Sequence, residues 1–243
     1  MLRGCGDGRA RVRPWWNDPT VAQLTFIDHG LVPSSTSLRV WLSELSAHGF
    51  ASIRTGAVTD VAADTLHRQG FETLQTLRLL DLSLIGWHPP PDPAIARTRR
   101  MRTTERQLAV EVDRAAFSDR WAIDVHGIDE TCNATPAHRA RTVNAENNTS
   151  RLVTSRLAGY AITGRADRTG YLQRLAVHPQ QQRQGVGLSL TRDSLVWMQR
   201  RRLSRAIVNT HSDNAGALSL YHRMGFRLLP HGLAVMTRTL ADI

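Results

Sequence analysis

The sequence predicts a mixed α/β protein, an α+β arrangement around a mixed sheet, and three observations carry that prediction. Helical and strand periodicities alternate along most of the chain. Apolar strands run into glycine or proline turns that lead directly to amphipathic helices. The 243 residues are 41% hydrophobic and 21% charged, the make-up of a folded chain long enough for one large domain or two small ones.

Taken in order, Ser37 to His48 sets Leu38, Trp41, Leu42 and Leu45 three and four residues apart, one face of a helix that Gly49 stops. Ala51 to Val58 alternates as a strand, Val61 to Gln69 reads as a helix ending at Gly70, and Glu72 to Leu84 alternates again. This α-β-α-β run meets Trp87-His88-Pro89-Pro90-Pro91-Asp92-Pro93, where four prolines in five residues exclude helix and central strand and favour an extended connector. The predicted organisation is therefore an N-terminal domain over 1–86, a proline-rich linker over 87–96 and a second domain over 97–243. In the second domain Thr104 to Phe117 is helical, Leu157 to Thr163 and Tyr171 to Val177 are strands, and Gly187 to Arg200 is a helix. Ala206 to Thr210 follows as a strand, Ala215 to Met224 as a helix closed by Gly225, and Leu233 to Leu240 as a final strand. Thr131 to Ser150 is polar with little apolar periodicity and reads as a loop or loosely held helix.

The halves echo each other. Placing Gly70-Phe71 on Gly225-Phe226, an offset of 155, puts His67-Arg68 on His222-Arg223 and Ile53 on Val208. A duplicated half-domain explains this agreement of element order.

The formal charge is +10 and the chain has no lysine, so all 31 basic side chains are arginine. Guanidinium groups are permanently charged and bidentate toward phosphate, and anionic partners are expected. Cys5 and Cys132 build no disulfide framework and no metal-ligand spacing, which fits a reducing compartment and no metal cofactor. An Arg-rich N-terminus with no apolar stretch behind it does not read as a secretory signal, and no run is long enough for a membrane helix. A cytoplasmic location follows as the expectation.

The stretch that carries chemistry is Leu175-Ala176-Val177-His178-Pro179, a strand end, followed by Gln182-Arg183-Gln184-Gly185-Val186-Gly187 at the start of a helix. The first amides of a helix have no intrahelical acceptors and sit at the positive end of its dipole, so a phosphate in the turn satisfies both. The glycines permit close backbone approach and Arg183 adds a fixed charge. The bland alternative is a strand-to-helix turn that uses glycine for packing.

The flanking residues resemble the GNAT superfamily of acyl-coenzyme A-dependent N-acyltransferases. Gln182-Arg183-Gln184-Gly185-Val186-Gly187 matches that family's Gln/Arg-x-x-Gly-x-Gly/Ala motif after a Val-x-Pro strand end. Asn214, Ala217, Leu220-Tyr221 and Gly225-Phe226 match its later helix at the right spacing. The resemblance covers about Arg97 to Leu240 and implies a GNAT fold preceded by a partial GNAT-like unit. It further implies acetyl-CoA as co-substrate, with Leu175, Ala176 and Val177 along its pantetheine arm, the amides from Gln182 to Gly187 on its pyrophosphate and Asn214 on the arm. Tyr221 is implied as general acid for the departing thiolate; its bland reading is a half-buried aromatic, and that of Asn214 a helix cap.

The glutamate that many relatives carry on the central strand is missing from Tyr171-Leu172-Gln173-Arg174-Leu175. Glu105, Glu111, Asp119, Asp124, Asp129, Glu130 and His178 are the alternatives, and nothing in the sequence selects one. In the N-terminal echo Thr59 stands at the Asn214 position and Leu66 at the Tyr221 position, with no glycine motif before Ser37, so this copy is expected not to bind coenzyme. Two readings of it stay open, a start point that truncates it or a half-domain that buttresses the second sheet.

The expected function is transfer of an acetyl group from acetyl-CoA to a primary amine of a small molecule or protein, by direct attack through a tetrahedral intermediate. The alternative is a catalytically silent coenzyme-binding or protein-interaction module. Nucleic-acid binding through Arg97 to Arg106 and Arg200-Arg201-Arg202 is disfavoured because interleaved aromatics are absent. A homodimer is left open.

Overall fold

The computed structural model describes residues 2–3, 8–27, 32–91, 96–117, 121–145 and 156–240. In chain order the elements are β1 (Leu2–Arg3), β2 (Arg9–Trp15), β3 (Asp18–Phe26), α1 (Ser35–Ala47), β4 (Ser52–Thr59), α2 (Asp60–His67), β5 (Glu72–Ser83) and β6 (Arg99–Arg100). They continue with α3 (Arg106–Ala116), α4 (Val125–Asn133), β7 (Ala137–Asn144), β8 (Leu157–Ala166), β9 (Thr169–Val177), α5 (Val186–Arg200), β10 (Arg205–His211), α6 (Ala215–Arg223), β11 (Arg227–Leu228) and β12 (Leu233–Thr239). Two compact units interleave along the sequence: one is Met1–Leu79, Thr210–Asp213 and Leu229–Ile243, the other Leu80–Asn209 and Asn214–Leu228.

In the first unit the strand order is β1-β2-β3-β4-β12-β5. β2 and β3 form an antiparallel hairpin, with Arg13 opposite Gln23, and β3 runs parallel to β4 with α1 as the crossover between them. β12 is antiparallel to both β4 and β5. The strand expected at Leu233 to Leu240 is thus present, and it completes the sheet of this unit. Leu38, Trp41, Leu42 and Leu45 of α1 and Leu66 of α2 are buried with Ala22, Leu24, Ile53 and Phe71, as the apolar spacing requires. Each such side chain contributes about 1.5–3 kcal/mol by leaving water. The β2–β3 hairpin was not assigned from sequence. Its signal is the alternation of Ala22 and Leu24, buried, with outward Gln23 and Thr25, diluted by arginines on β2.

In the second unit β10, β9, β8, β7 and β6 follow one another from the end of β5, and β11 pairs with Leu80 and Asp81 of β5. β6 through β9 are antiparallel neighbours, whereas β9 and β10 are parallel around the α5 crossover. One face of this sheet carries α5 and α6 through Ala161, Leu172, Val186, Leu190, Met198 and Tyr221. The opposite face carries α3 and α4 through Ala109, Val110, Ile128, Leu157, Ile162 and Ala176. The polar stretch from Thr131 is not a loop: it holds the end of α4 and then β7. Arg139 and Arg141, which face α5 and pair with its Asp193, interrupt the apolar alternation that marks a strand in sequence. Residues 146–150 of that stretch, like Cys5 and Asp119, lie outside the described residues.

The sequence echo has a structural counterpart. Thr59 caps α2 by accepting from Ala62 N at 3.4 Å, and Asn214 caps α6 by accepting from Ala217 N at 3.0 Å. The exits match as well: Phe71 N donates to Leu66 O at 3.1 Å, and Phe226 N to Tyr221 O at 3.0 Å. Gly70 and Gly225, at φ 76 and 93, take the left-handed turn that closes each helix. Among the described residues no helix is long and apolar enough to cross a membrane.

Candidate active site

The β9–β10 pairing runs from Thr169 opposite Arg205 to Leu172 opposite Val208 and stops there. Residues 174–177 keep their β8 partners, Arg174 with Ile162, Leu175 with Ala161, Ala176 with Tyr160 and Val177 with Gly159, but among the described residues have no strand partner on the other edge. The register with β8 also slips: Leu172 faces Thr163 and Arg174 faces Ile162, which leaves Gln173 as an extra residue. That bulge reverses the side-chain alternation. Leu172 packs under α5, and two residues later Arg174 reaches the α3 face.

The chain then turns into α5. Pro179–Gln181 forms a short 3-10 turn, entered by His178 N donating to Ala158 O at 2.9 Å. Gln182 Nε2 donates to Val177 O at 3.3 Å and Gln184 Nε2 to Gln180 O at 3.0 Å, so both side chains brace the turn. Arg183 and Gly185 have φ 62 and 78, and Gly185 is the N-cap of α5 with no side chain capping it. The first amides of α5, from Val186 and Gly187 onward, therefore have no protein acceptor within the helix. Arg183 is exposed beside them. A Cβ on Gly187 would lie 3.3 Å from Leu220 Cδ2 and 3.7 Å from Val177 Cγ2, so the end of β9, the start of α5 and α6 converge here.

Tyr221 projects from α6 into the core, 4% exposed, its ring centroid 5.7 Å from that of Phe226. Burial pushes its phenol well above the ordinary value of 10, which keeps the hydroxyl protonated at neutral pH. Asn214 is exposed, and its Oδ1 is used by the helix cap. A cavity of about 480 Å³ reaches the turn, with Arg97, Arg99, Asn144, Gln181, Gln184 and Val186 in its wall.

The candidate bases are spread out. Glu105 takes both terminal nitrogens of Arg99, at 2.6 and 2.8 Å, and the amide of Arg102 at 2.7 Å. Asp124 caps α4 through Gly127 N, Asp129 pairs with Arg106 at 2.6 Å, and Glu111 is exposed. His178 Nδ1 accepts from Gln180 N at 3.3 Å. The group that sequence reasoning missed is Asp113, fully buried on α3, which accepts two bonds from Arg174 and one from Tyr160 Oη. A lone aspartate inside the stripe of Ala109, Val110 and Val112 was the available signal. Among the described residues no cluster of side chains could hold a metal ion.

A sheet that parts beyond a parallel pair, with an uncapped helix start in the gap, defines an acyl-CoA-dependent N-acyltransferase fold. Residues 107–226 match the model of the acetyltransferase (GNAT) family, and the chain belongs to the GNAT superfamily. Comparison with curated protein sequences returns no match. Among solved structures, a tandem GNAT protein from the clavulanic acid biosynthesis pathway is 15% identical, with 99% of this chain and 82% of that one covered at a TM-score of 0.66. A GCN5-related N-acetyltransferase from Sphaerobacter thermophilus is 14% identical over 95% and 76% of the chains at 0.60. One from Kribbella flavida is 15% identical over 98% and 89%, also at 0.60. At these identities the likeness is one of fold.

Proposed function

We propose that the second unit transfers an acetyl group from acetyl-CoA to a primary amine of a small molecule or a protein. The observation that carries this reading is the convergence of the unpaired edge of β9 and the uncapped start of α5 with α6, where Val177, Gly187 and Leu220 meet. The amides and fixed charge from Gln182 to Gly187 would hold the pyrophosphate, and the free edge at Leu175, Ala176 and Val177 would pair with the pantetheine arm, with Asn214 beside it. An amide on that edge would meet the charge developing on the thioester carbonyl as the amine attacks and the tetrahedral intermediate forms. Tyr221 would donate the proton that the departing thiolate takes up.

Residues 171–175 of β9 include no carboxylate; Gln173 is the bulged residue and Arg174 beside it is paired with Asp113, so on this reading the attacking amine arrives neutral or gives its proton to water. That vacancy also favours the second reading, a coenzyme-binding module without catalysis, against which the buried, protonated phenol of Tyr221 weighs. The first unit, with Thr59 and Leu66 in place of Asn214 and Tyr221, is read as a partial GNAT-like copy that takes no coenzyme.

Calorimetric titration of acetyl-CoA into the wild type and Gly185→Asp tests the site. Binding that is lost in the variant supports it; a folded wild type that binds no acetyl-CoA sinks it. Turnover on a panel of amines then separates an enzyme from a silent module.

A further inference from the structure

The second unit also has a basic pocket whose lining includes none of the residues proposed above to hold acetyl-CoA. A cavity of about 380 Å³ is walled by six arginines: Arg100, Arg102, Arg106, Arg139, Arg141 and Arg201. Asp193 pairs with Arg139 at 3.2 Å and Arg141 at 3.0 Å, and Asp129 pairs with Arg106 at 2.6 Å. Arg100, Arg102 and Arg201 are exposed; Arg102 shares the charge of Glu105, which Arg99 already binds, and Arg100 and Arg201 have no ion-pair partner among the described residues. Arg201 lies over the ring of Trp197 at 5.5 Å, and that ring also lines the cavity. Burial lowers the basicity of Arg139, and against the pull of Asp193 the charges of Arg141 and Arg200 lower it further. Arg201 complements the dipole at the C-terminus of α5, but Arg100 lines the cavity from another segment with no such compensation.

Six cations against two carboxylates repel one another, and a ligand carrying several phosphates relieves that repulsion through bidentate contacts. The volume is that of a small-molecule site. The phosphate turn at Val186 lies at the other end of α5, about 20 Å away along the helix axis at 1.5 Å per residue.

We propose that this pocket binds a compact, multiply phosphorylated small molecule, separately from the acyl-CoA turn. The concave shape favours a compact polyphosphate over a nucleic-acid strand, which requires an extended charged track.

The test is calorimetric titration of inorganic tripolyphosphate into the full chain at physiological ionic strength, with and without saturating acetyl-CoA. Saturable one-site binding is expected, unaffected by acetyl-CoA. In the triple variant Arg100→Gln, Arg102→Gln, Arg201→Gln, whose exposed positions leave the fold intact by circular dichroism, affinity should fall by roughly tenfold or more. No binding, unchanged affinity in the variant, or competition with acetyl-CoA overturns the proposal. So does binding of a single-stranded oligonucleotide where tripolyphosphate fails.

Discussion

The Arg174 guanidinium grips both carboxylate oxygens of Asp113, Nε to Oδ2 at 2.8 Å and Nη2 to Oδ1 at 2.7 Å, between β9 and α3. Tyr160 Oη adds a third bond at 2.5 Å, Ile123 N a fourth at 2.9 Å, and the guanidinium stacks 4.0 Å from the Phe117 ring. An ion pair with every lone pair answered holds a charged strand position inside the protein.

Breaking that pair from the acid side strands a buried cation. Asp113→Asn should cost about 3–5 kcal/mol of stability, against about 1 kcal/mol for Tyr160→Phe, which leaves the ion pair whole. Urea unfolding of both variants checks the ranking; equal losses would show that the ion pair is not the source of the effect.

Tyr221→Phe separates chemistry from packing. Among the described residues the hydroxyl has no hydrogen-bond partner to lose, so stability and acetyl-CoA affinity should stay near wild type while kcat drops by roughly a hundredfold or more on the proposed mechanism. The raised phenol pKa carries a sign: the folded protein keeps its proton above pH 10 while the unfolded chain releases it. Stability from this group is therefore present below pH 10 and lost as pH rises beyond it. A wild-type alkaline unfolding limb that is absent in Tyr221→Phe is the measurement.

Glu105 has the opposite sign. Hydrogen bonds from Arg99, then burial working against them, then the Arg102 amide leave its carboxyl below the ordinary 4.5. The stabilisation is complete above the ordinary value and is lost as pH falls through the lower folded value. Glu105→Gln should be less stable than wild type at neutral pH and show a shallower loss of stability below pH 4.5; parallel acid-unfolding curves would contradict this.

Much of the fold was legible because local chemistry and tertiary context agree. Ser37 to His48 and Val61 to Gln69 form helices where the apolar spacing puts them, and Gly185 and Asn214 cap the helices that the motifs predict. The β2–β3 hairpin and β7 were hidden because arginine interrupts their apolar alternation, at exposed positions of β2 and, on β7, at Arg139 and Arg141, which pair with Asp193 of α5. The residues proposed on β9, the turn, α5 and α6 come from their resemblance to the family's motifs, which they match in spacing. The candidate bases were not legible, because Glu105 and Asp129 are consumed by ion pairs with arginines that no local pattern connects to a role.

The sequence by itself determined that a glycine-bearing turn leads from a strand into a helix between Val177 and Gly187 and that a helix bearing Tyr221 follows, since both depend on residues close together in the chain. Only the tertiary structure decided that β12 completes the sheet of the first unit and that β9 parts from β10 beyond Leu172. It also decided that Arg174 meets Asp113, 61 residues earlier in the chain. Strand partners and buried ion pairs are set by which distant surfaces exclude water together, and no short window of sequence contains that information.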